Sequence, residues 1–282
     1  MRKTKKPIDT QIDEYMDYCT YTRRMSAMTI VSKQHTYAHF VIGSKCHDIQ
    51  NLDNAAFNRW IKYQTKKGVS ARTINTRIAH IMSMLRYHRE MGLNMPIKLP
   101  LIKKLKEEPA RRVFYSATQI EKALEYADEL AWLLIKICFD AGLRISELRN
   151  MRLDNLSGRR IKFVGKGRKS REAYMNRETY ERLQKWISEN DITDSLWVNH
   201  RGHKYSVDEL RIRMRKPFYK AGLTDFYPHA LRHSFGTDIQ KKGASLLEMQ
   251  QMLGHSNAET TQRYIHGLDG QLENLFAKYK DA

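Results

Sequence analysis

Apolar residues recur at helical spacing through the first hundred positions, and short polar stretches or glycines separate one run from the next. The pattern predicts four helices: at about 9–24, at about 27–42 with Gly43 at its end, from a cap at Asp53 to Gly68, and from a cap at Ser70 to Gly92. The inward positions of the fourth are Ile74, Ile78, Ile81, Met82 and Leu85. Four helices in this length are typical of a small helical bundle.

The second half opens with another capped helix, followed by a long apolar run. Ser116 and Gln119 have the spacing of a capping box, which predicts a helix through about 121–127. Residues 130–139 are mostly apolar, and the length of the run favours a buried helix, ending at Gly142, over a strand. Ser146 is the predicted cap of the short helix that follows.

A β-hairpin and further helices are predicted beyond this point. Residues 161–164 and 171–175 flank the sequence Gly-Lys-Gly-Arg-Lys at 165–169, as two strands flank a glycine-rich turn. A short strand is predicted at 196–198. Helices are predicted from a cap at Asn176 to about 190, from a cap at Ser206 to Ala221, at 229–242, and after Gly243 and Ser245. The predicted fold class is therefore mainly α with a small β-sheet or hairpin in the second domain.

Prolines mark the boundary between the two halves. Pro96, Pro100 and Pro109 stand among lysines, and proline interrupts helices and stiffens linkers. The predicted organisation is a helical domain at 1–98, a basic linker at 99–112 and a second domain at 113–282. The second domain includes an amphipathic tail helix at 268–280, with Leu272, Leu275 and Phe276 on one face.

Both halves of the chain are basic. The 282 residues carry a formal net charge of +19, with 20 lysines and arginines against 9 acidic residues in 1–110 and 30 against 22 in 111–282. Two basic domains can hold a polyanion from both sides, so nucleic acid is the favoured partner. A basic protein without such a partner is the alternative.

The cysteines and the apolar runs indicate in which cellular compartment the protein is expected. Cys19, Cys46 and Cys138 form no C-x-x-C pair, so neither a zinc site nor a disulfide framework is indicated. No apolar run follows the basic N-terminus, and none approaches the roughly 20 residues of a membrane span. We expect a cytoplasmic, nucleoid-associated protein with no membrane contact, no metal and no cofactor.

Three sequence blocks carry the candidate chemistry: A-G-L-R-I-S-E-L at 141–148, H-A-L-R-H-S-F-G-T at 229–237 and L-G-H-S-N-A-E-T-T-Q-R-Y-I-H at 253–266. Arginine binds phosphate oxygens in a bidentate way, histidine transfers protons near neutral pH, and a tyrosine hydroxyl can attack phosphorus. Taken singly, each has a plain structural reading; an arginine after a helix can simply cap its carbonyls. Together they supply what a metal-free phosphodiester-cleaving site needs.

The three blocks resemble the signatures of the tyrosine recombinases, the phage-integrase family, in its short Xer-like form. The resemblance is strong over 113–268, whereas the first domain is similar only in length and helix count. It implies an N-terminal SAM-like helical bundle joined to an integrase catalytic domain. It also implies site-specific recombination through a 3′-phosphotyrosyl intermediate and a Holliday junction.

The resemblance assigns roles to five residues of the three blocks. Tyr264 would attack phosphorus and form the covalent ester. Arg144 and Arg232 would clamp the scissile phosphate and offset the charge that builds on its oxygens. His255 would donate a further hydrogen bond to that phosphate, and His229 would assist proton transfer.

The resemblance also implies roles for residues other than these five. Lys166 would protonate the departing 5′-oxygen, with Lys169 as the next candidate for that role. Glu147 would orient an arginine or a histidine. The cations predicted to contact DNA, rather than only to form a solvated face, are Arg72, Arg77, Lys103, Lys104, Arg168 and Lys169.

The implied partner is double-stranded DNA with inverted half-sites, bound by a homotetramer or by a tetramer formed with a homologue. Integration or excision of a mobile element and resolution of chromosome dimers both fit. The alternatives are relaxation of supercoils by a type IB topoisomerase mechanism, a non-catalytic DNA-binding regulator, and a metal-dependent nuclease. The tail helix must bury its apolar face on its own domain or, as the resemblance implies, on a neighbouring protomer.

Overall fold

The computed structural model describes residues 7–108, 113–164, 170–253 and 271–280. The chain divides into two compact units, residues 1–110 and 111–282. The described part is mainly helical with one small antiparallel sheet, which confirms the predicted fold class. No helix within these ranges is both long enough and apolar enough to cross a membrane.

Unit 1 contains the four predicted helices. They are α1 Pro7–Asp17, α2 Ala27–Ser44, α3 Asn54–Lys66 and α4 Ala71–Glu90, with a π-helical turn at Tyr18–Thr22 after α1. The side chains of Asp53 and Ser70 accept hydrogen bonds from the backbone N–H groups of Ala56 and Thr73, which confirms both predicted caps. The five predicted inward side chains of α4 are buried in the core of this unit.

Gly43 lies inside α2 rather than at its end, which corrects the prediction. A Cβ atom at Gly43 would lie 2.7 Å from Tyr63 Cδ1 and 2.9 Å from Trp60 Cδ1. The glycine therefore allows α2 and α3 to pack closely. Lys45 follows α2 in the left-handed conformation, with φ 57°.

The first part of the basic segment 99–112 is held on unit 1. Leu99 is buried, and Leu105 packs against the core of unit 1. Asn75 donates from Nδ2 to the Leu105 carbonyl at 2.9 Å and accepts at Oδ1 from the Leu105 backbone N–H at 2.8 Å. These bonds fix the path of the chain at least as far as Leu105.

Unit 2 is built around one central helix, α6. The helices are α5 Ala117–Leu124, α6 Glu129–Asp140, α7 Ile145–Arg149, α8 Arg177–Glu189, α9 Val207–Lys220, α10 Pro228–Lys241, α11 Leu246–Leu253 and α12 Gln271–Lys280. Every residue of α6 from Leu130 to Asp140 is buried, as the apolar run predicted. Helices α7, α8, α9 and α10 surround it. The predicted capping box at Ser116 is present, and the predicted cap at Ser206 forms a capping box with Glu209 as well.

The sheet of unit 2 has three antiparallel strands in chain order. They are β1 Leu156–Ser157, β2 Arg160–Val164 and β3 Ser170–Tyr174. Strands β2 and β3 form the predicted hairpin, with Ile161 opposite Ala173. The strand predicted at 196–198 is reduced to a single bridge between Val198 and Lys204. Its Trp197 is buried and donates from Nε1 to the Leu148 carbonyl at 2.6 Å, so packing explains the apolar pattern there.

Helix α12 packs on its own unit. Phe276 and Tyr279 are buried in the core of unit 2, and the Phe276 ring lies 5.9 Å from that of Tyr174 on β3. Lys242, which caps the end of α10, donates from Nζ to the Tyr279 carbonyl at 2.8 Å. Phe276 and Tyr279 are thus covered by their own domain, which is the first of the two arrangements that the sequence left open.

Candidate active site

Arg144 begins α7, and Glu147 fixes it there. The carboxylate of Glu147 accepts a hydrogen bond from the Arg144 backbone N–H at 2.8 Å and another from Arg144 Nη1 at 2.8 Å. Arg144 is therefore the cap residue, not Ser146 as predicted. Glu147 lies three residues after Arg144, which is the spacing at which a glutamate side chain bonds back to the backbone N–H of the cap residue. The Arg144 side chain is 41% exposed and that of Glu147 is 17% exposed, so the pair presents the guanidinium at the surface.

Arg232 connects the three sequence blocks. It lies on α10 and is only 3% exposed. Its Nη1 donates to the Gly142 carbonyl and its Nη2 to the Leu253 carbonyl, each at 2.5 Å. Gly142 precedes Arg144 by two residues, and Leu253 precedes His255 by two. One buried side chain thus holds the backbone of the first and third blocks against the second.

Gly142 is required where these blocks meet. Its φ of +58° lies in the left-handed region that favours glycine. A Cβ atom there would lie 2.8 Å from Phe235 Cδ1 and 3.1 Å from Leu253 Cδ2. Any side chain would therefore press on both the second and the third block.

His229 stands in the first turn of α10, after Pro228 at the helix start. It is exposed, and its ring centroid lies 4.6 Å from that of His233 in an edge-on arrangement. His229 and Ile145, the residue after Arg144, line the same cavity of about 520 Å³. The structure thus brings the predicted histidine to the segment that carries the first arginine.

Two arginines that sequence reasoning missed line the same cavity. Arg211 and Arg215 on α9 share it with His229. The run R-I-R-M-R-K at 211–216 was the available signal, but its charges also fit a solvated helix face. Asp208 lines the cavity as well and forms an ion pair with Arg211 at 2.8 Å, so Arg215 and His229 are the remaining basic side chains of the lining.

The predicted DNA contacts in unit 1 differ in their exposure. Arg72 has a 65% exposed side chain and forms an ion pair with Glu107 at 3.2 Å. Lys103 and Lys104 are exposed. Arg77 is half-buried and donates to the buried Gln64 side chain, which holds it against unit 1.

Five predicted site residues lie outside the described residues. They are Lys166, Arg168, Lys169, His255 and Tyr264. The described elements next to them in sequence are β2 and β3 for the first three, and α11 and α12 for the last two.

Helices α11 and α12, on either side of the third block in sequence, are joined by Glu248. Hydrogen bonds from Ser245 lower the pKa of Glu248 to about 2, and a bond from Tyr279 lowers it as well. Tyr279 donates from its hydroxyl to Glu248 Oε1 at 3.2 Å. Glu248 and Tyr279 had no sequence signal, because their meeting depends on how the tail folds back.

Comparison with known protein families gives one match over most of unit 2. The model of the phage integrase family matches residues 113–270. This range contains all three sequence blocks and both strands of the hairpin.

Two related proteins align with most of the chain. Tyrosine recombinase XerC of Actinobacillus pleuropneumoniae serotype 7 (strain AP76) is 31% identical over 229 residues, covering 76% of this chain and 74% of its own. Tyrosine recombinase XerC of Histophilus somni (strain 2336) is 26% identical over 270 residues, covering 90% of this chain and 92% of its own.

Two solved structures share the fold. The Tn1549 transposon integrase in complex with transposon right end DNA has a TM-score of 0.73 at 18% identity, covering 98% of this chain and all of its own. A lambda integrase tetramer bound to a Holliday junction has a TM-score of 0.73 at 15% identity, covering 89% of this chain and 78% of its own.

Proposed function

The chain belongs to the phage integrase family and is a site-specific tyrosine recombinase of the Xer-like type, and on that premise we propose the role of each site residue. The observation that carries the proposal is the pair of hydrogen bonds from Arg232 to Gly142 and Leu253. Through them the two arginines and the segment leading to His255 and Tyr264 belong to one rigid assembly. We infer that the three blocks act on a single phosphate.

In this proposal Arg144 and Arg232 both act on the scissile phosphate. Arg144 contacts it from an exposed side chain, and the charge of the buried Arg232 acts on it while Nη1 and Nη2 hold the Gly142 and Leu253 carbonyls. Two guanidinium groups supply the positive charge that a metal ion provides in other phosphodiester-cleaving enzymes. Glu147 keeps the Arg144 guanidinium in place before DNA arrives, so little reorganisation is needed in the transition state. His255 adds one hydrogen bond to the same phosphoryl oxygens.

The chemical step exchanges one phosphate ester for another. The Tyr264 phenolic oxygen forms a bond to phosphorus while the bond from phosphorus to the 5′-oxygen breaks. The product is a 3′-phosphotyrosyl ester and a DNA strand with a free 5′-hydroxyl. His229 assists removal of the phenolic proton, and Lys166 gives a proton to the 5′-oxygen. The reverse reaction with another 5′-hydroxyl rejoins the strand, and it needs no ATP because the ester energy is retained.

The assembly that performs strand exchange is proposed to be a tetramer on two duplexes with inverted half-sites. The family fold supports this, since the lambda integrase structure with the same fold holds a tetramer on a Holliday junction. Arg72, Lys103 and Lys104 of unit 1 add phosphate contacts from exposed positions. Arg215 adds charge beside His229, whereas Arg211 is paired with Asp208.

A strand-exchange assay tests this function. The binding site is first selected from a randomised duplex pool, and two duplexes that carry it receive different end labels. The full-length chain should yield duplexes that carry both labels. Relaxation of a supercoiled plasmid carrying the site, without any doubly labelled duplex, would instead indicate topoisomerase activity and contradict the proposal.

A further inference from the structure

A buried carboxylate that the chemistry above does not use lies beside the arginine turn. Asp140 is the last residue of α6, four residues before Arg144, and it is fully buried. Burying a carboxylate is costly unless its oxygens are paired, so its partners show what it is for. The groups around it come from two other parts of unit 2 as well as from α6 itself.

The first set of partners lies where the hairpin ends. Asp140 accepts a hydrogen bond from Thr179 Oγ1 at 2.5 Å and one from Asn176 Nδ2 at 3.3 Å. The Asn176 backbone N–H also points to Asp140, at 3.4 Å. Asn176 is the cap residue of α8 and follows β3 by two positions. Asp140 thereby fixes the exit of the hairpin whose two strands flank Lys166 in sequence.

The tail lysine, Lys280, lies against the end of α6, next to Asp140. The side chain of Lys280 is 3% exposed, and its Nζ forms an ion pair with Asp238 on α10 at 3.1 Å. The same ammonium lies 4.0 Å from the centroid of the Phe139 ring, on the residue before Asp140. The charge of Asp140 stabilises the buried ammonium, although burial lowers the pKa of Lys280 overall. Lys136, one turn before Asp140 on α6, provides a second cation at 3.9 Å.

These contacts join three segments that carry the site. We propose that Asp140 is a positioning residue that couples the Arg144 turn to the end of the hairpin and, through Lys280, to the helix that follows Tyr264. This role in catalysis rests on the proposed function, because the coupling affects cleavage only if Arg144, Lys166 and Tyr264 act on one phosphate. Docking of the tail then determines the geometry of the arginine turn, and the reverse also holds.

Hydrogen–deuterium exchange on the full-length chain without DNA tests the coupling directly. Lys280→Met removes the tail cation and keeps most of the apolar stem, and Asp140→Asn removes the carboxylate charge. Lys280→Met should speed exchange at 141–149 and 172–180 by about threefold, the order expected for a charge interaction without a direct hydrogen bond. Asp140→Asn should speed exchange at 271–280 by a similar factor.

The matched control is Lys278→Met, on the same helix. Its side chain is 60% exposed and pairs with Glu248 rather than with the Asp140 group. It should leave exchange at 141–149 unchanged. If each substitution changes exchange only in its own segment, no coupling exists and the positioning role is overturned. Lys280→Met keeps the test decisive even if Asp140→Asn does not fold.

The pH dependence of DNA cleavage supplies a readout that a general loss of stability would not move. Burial raises the pKa of Asp140, and the neighbouring lysines oppose that rise. Removing one of them by Lys280→Met should raise this pKa further, so the fall in cleavage rate on the acid side should begin at higher pH. Asp140 and Lys280 face several charged and hydrogen-bonding groups: Lys136 with its ion-pair partner Glu121, then Asn176, Thr179, Asp238 and Lys242.

The comparison is made on a duplex that the full-length chain binds, selected from a randomised pool and nicked beside its mapped cleavage position. Groups other than Asp140 contribute equally in every variant, so only the displacement of the profile counts. In the Asp140→Asn background, where cleavage should be about tenfold slower or more, Lys280→Met should no longer displace the profile. A displacement that persists without Asp140 would overturn the positioning role.

Failure of this coupling and failure of the proposed function give different results. If the wild type forms the covalent adduct but the two substitutions change exchange only in their own segments, the role of Asp140 alone is overturned. If the substitutions show coupled exchange but the wild type forms no adduct on any selected duplex, the proposed function is overturned, and the coupling has no catalytic role.

Discussion

Arg232 donates a hydrogen bond from Nη1 to the carbonyl oxygen of Gly142, ninety positions earlier in the chain, at 2.5 Å. The bond holds the turn that presents Arg144 against the helix that carries His229. Because the donor is only 3% exposed, water does not replace this contact when it breaks. The site is therefore sensitive to small changes of the backbone at residue 142.

Gly142→Ala should slow formation of the covalent adduct and destabilise unit 2. The left-handed backbone costs about 1–2 kcal/mol for a residue with a Cβ. Contact of that atom with Phe235 and Leu253 adds about 1–3 kcal/mol of crowding. Gly222→Ala is the matched control, because Gly222 has φ +82° but no atom within 4 Å of the new Cβ. Equal effects of the two substitutions in urea unfolding and adduct assays would contradict the crowding at the site.

Glu147→Gln should lower the cleavage rate at saturating DNA by about tenfold, with little change in DNA affinity. The amide still accepts the Arg144 backbone N–H but no longer carries the charge that fixes the guanidinium. Glu181→Gln is the control, since Glu181 forms an ion pair of the same length with Arg177 on an exposed helix face. A loss of affinity without a loss of rate would mean that Glu147 acts on binding instead.

The elements that could be predicted from the sequence depend on neighbours in the chain. Asp53, Ser70 and Ser116 cap helices through bonds to backbone three residues on, so local spacing is enough. Gly43 was assigned wrongly because its reason lies on another helix, in Tyr63 and Trp60. Glycine at a close helix contact and glycine at a helix end look alike in a single sequence.

In the candidate site, too, the residues in local motifs could be predicted, whereas contacts between distant elements could not. The motifs identified Arg144 and Arg232, but not that Arg232 would be buried with its guanidinium on two backbone carbonyls. Asp140 and Lys280 gave no signal at all. Lys280 lies against Phe139 only because the tail returns to α6, and an aspartate after an apolar run is also an ordinary helix end.

Lys33 should make the stability of unit 1 depend on pH. Its ammonium is buried in the core of that unit and donates to the hydroxyls of Tyr15 and Ser83. Burial lowers its pKa below the ordinary 10.5, and the charge of Arg23 lowers it further. The unfolded chain therefore binds more protons than the folded chain in the range below 10.5. The free energy of unfolding should rise with pH through that range and be lowest below the folded-state pKa.

Lys33→Met should remove this pH dependence and stabilise unit 1 at neutral pH by on the order of 1 kcal/mol. The hydroxyl of Tyr15 keeps its bond to Ser83, and that of Tyr37 keeps its bond to the His80 carbonyl. Pulse proteolysis of unit 1 in urea at neutral and alkaline pH measures the effect. Lys67→Met removes an exposed lysine and should leave the slope as it is. A wild-type stability independent of pH would show that Lys33 titrates normally.

Lys166→Ala should slow cleavage of ordinary DNA strongly and cleavage of a 5′-bridging phosphorothiolate very little. A thiolate leaves without a proton, so a missing general acid matters only for the oxygen substrate. Single-turnover rates on the two substrates, with Lys169→Ala in parallel, separate the candidates. An equal defect of Lys166→Ala on both substrates would mean that this lysine only binds DNA.

The most direct test of the central claim is the covalent adduct itself. The full-length chain is incubated with a nicked suicide duplex in excess EDTA and without ATP, and the protein is resolved under denaturing conditions. The wild type should form a protein–DNA adduct, because side-chain cations alone hold the phosphate. Tyr264→Phe should bind the duplex with unchanged affinity and form none, because only the nucleophilic hydroxyl is lost. An adduct from Tyr264→Phe, or an adduct from the wild type that requires magnesium or manganese, would contradict the mechanism.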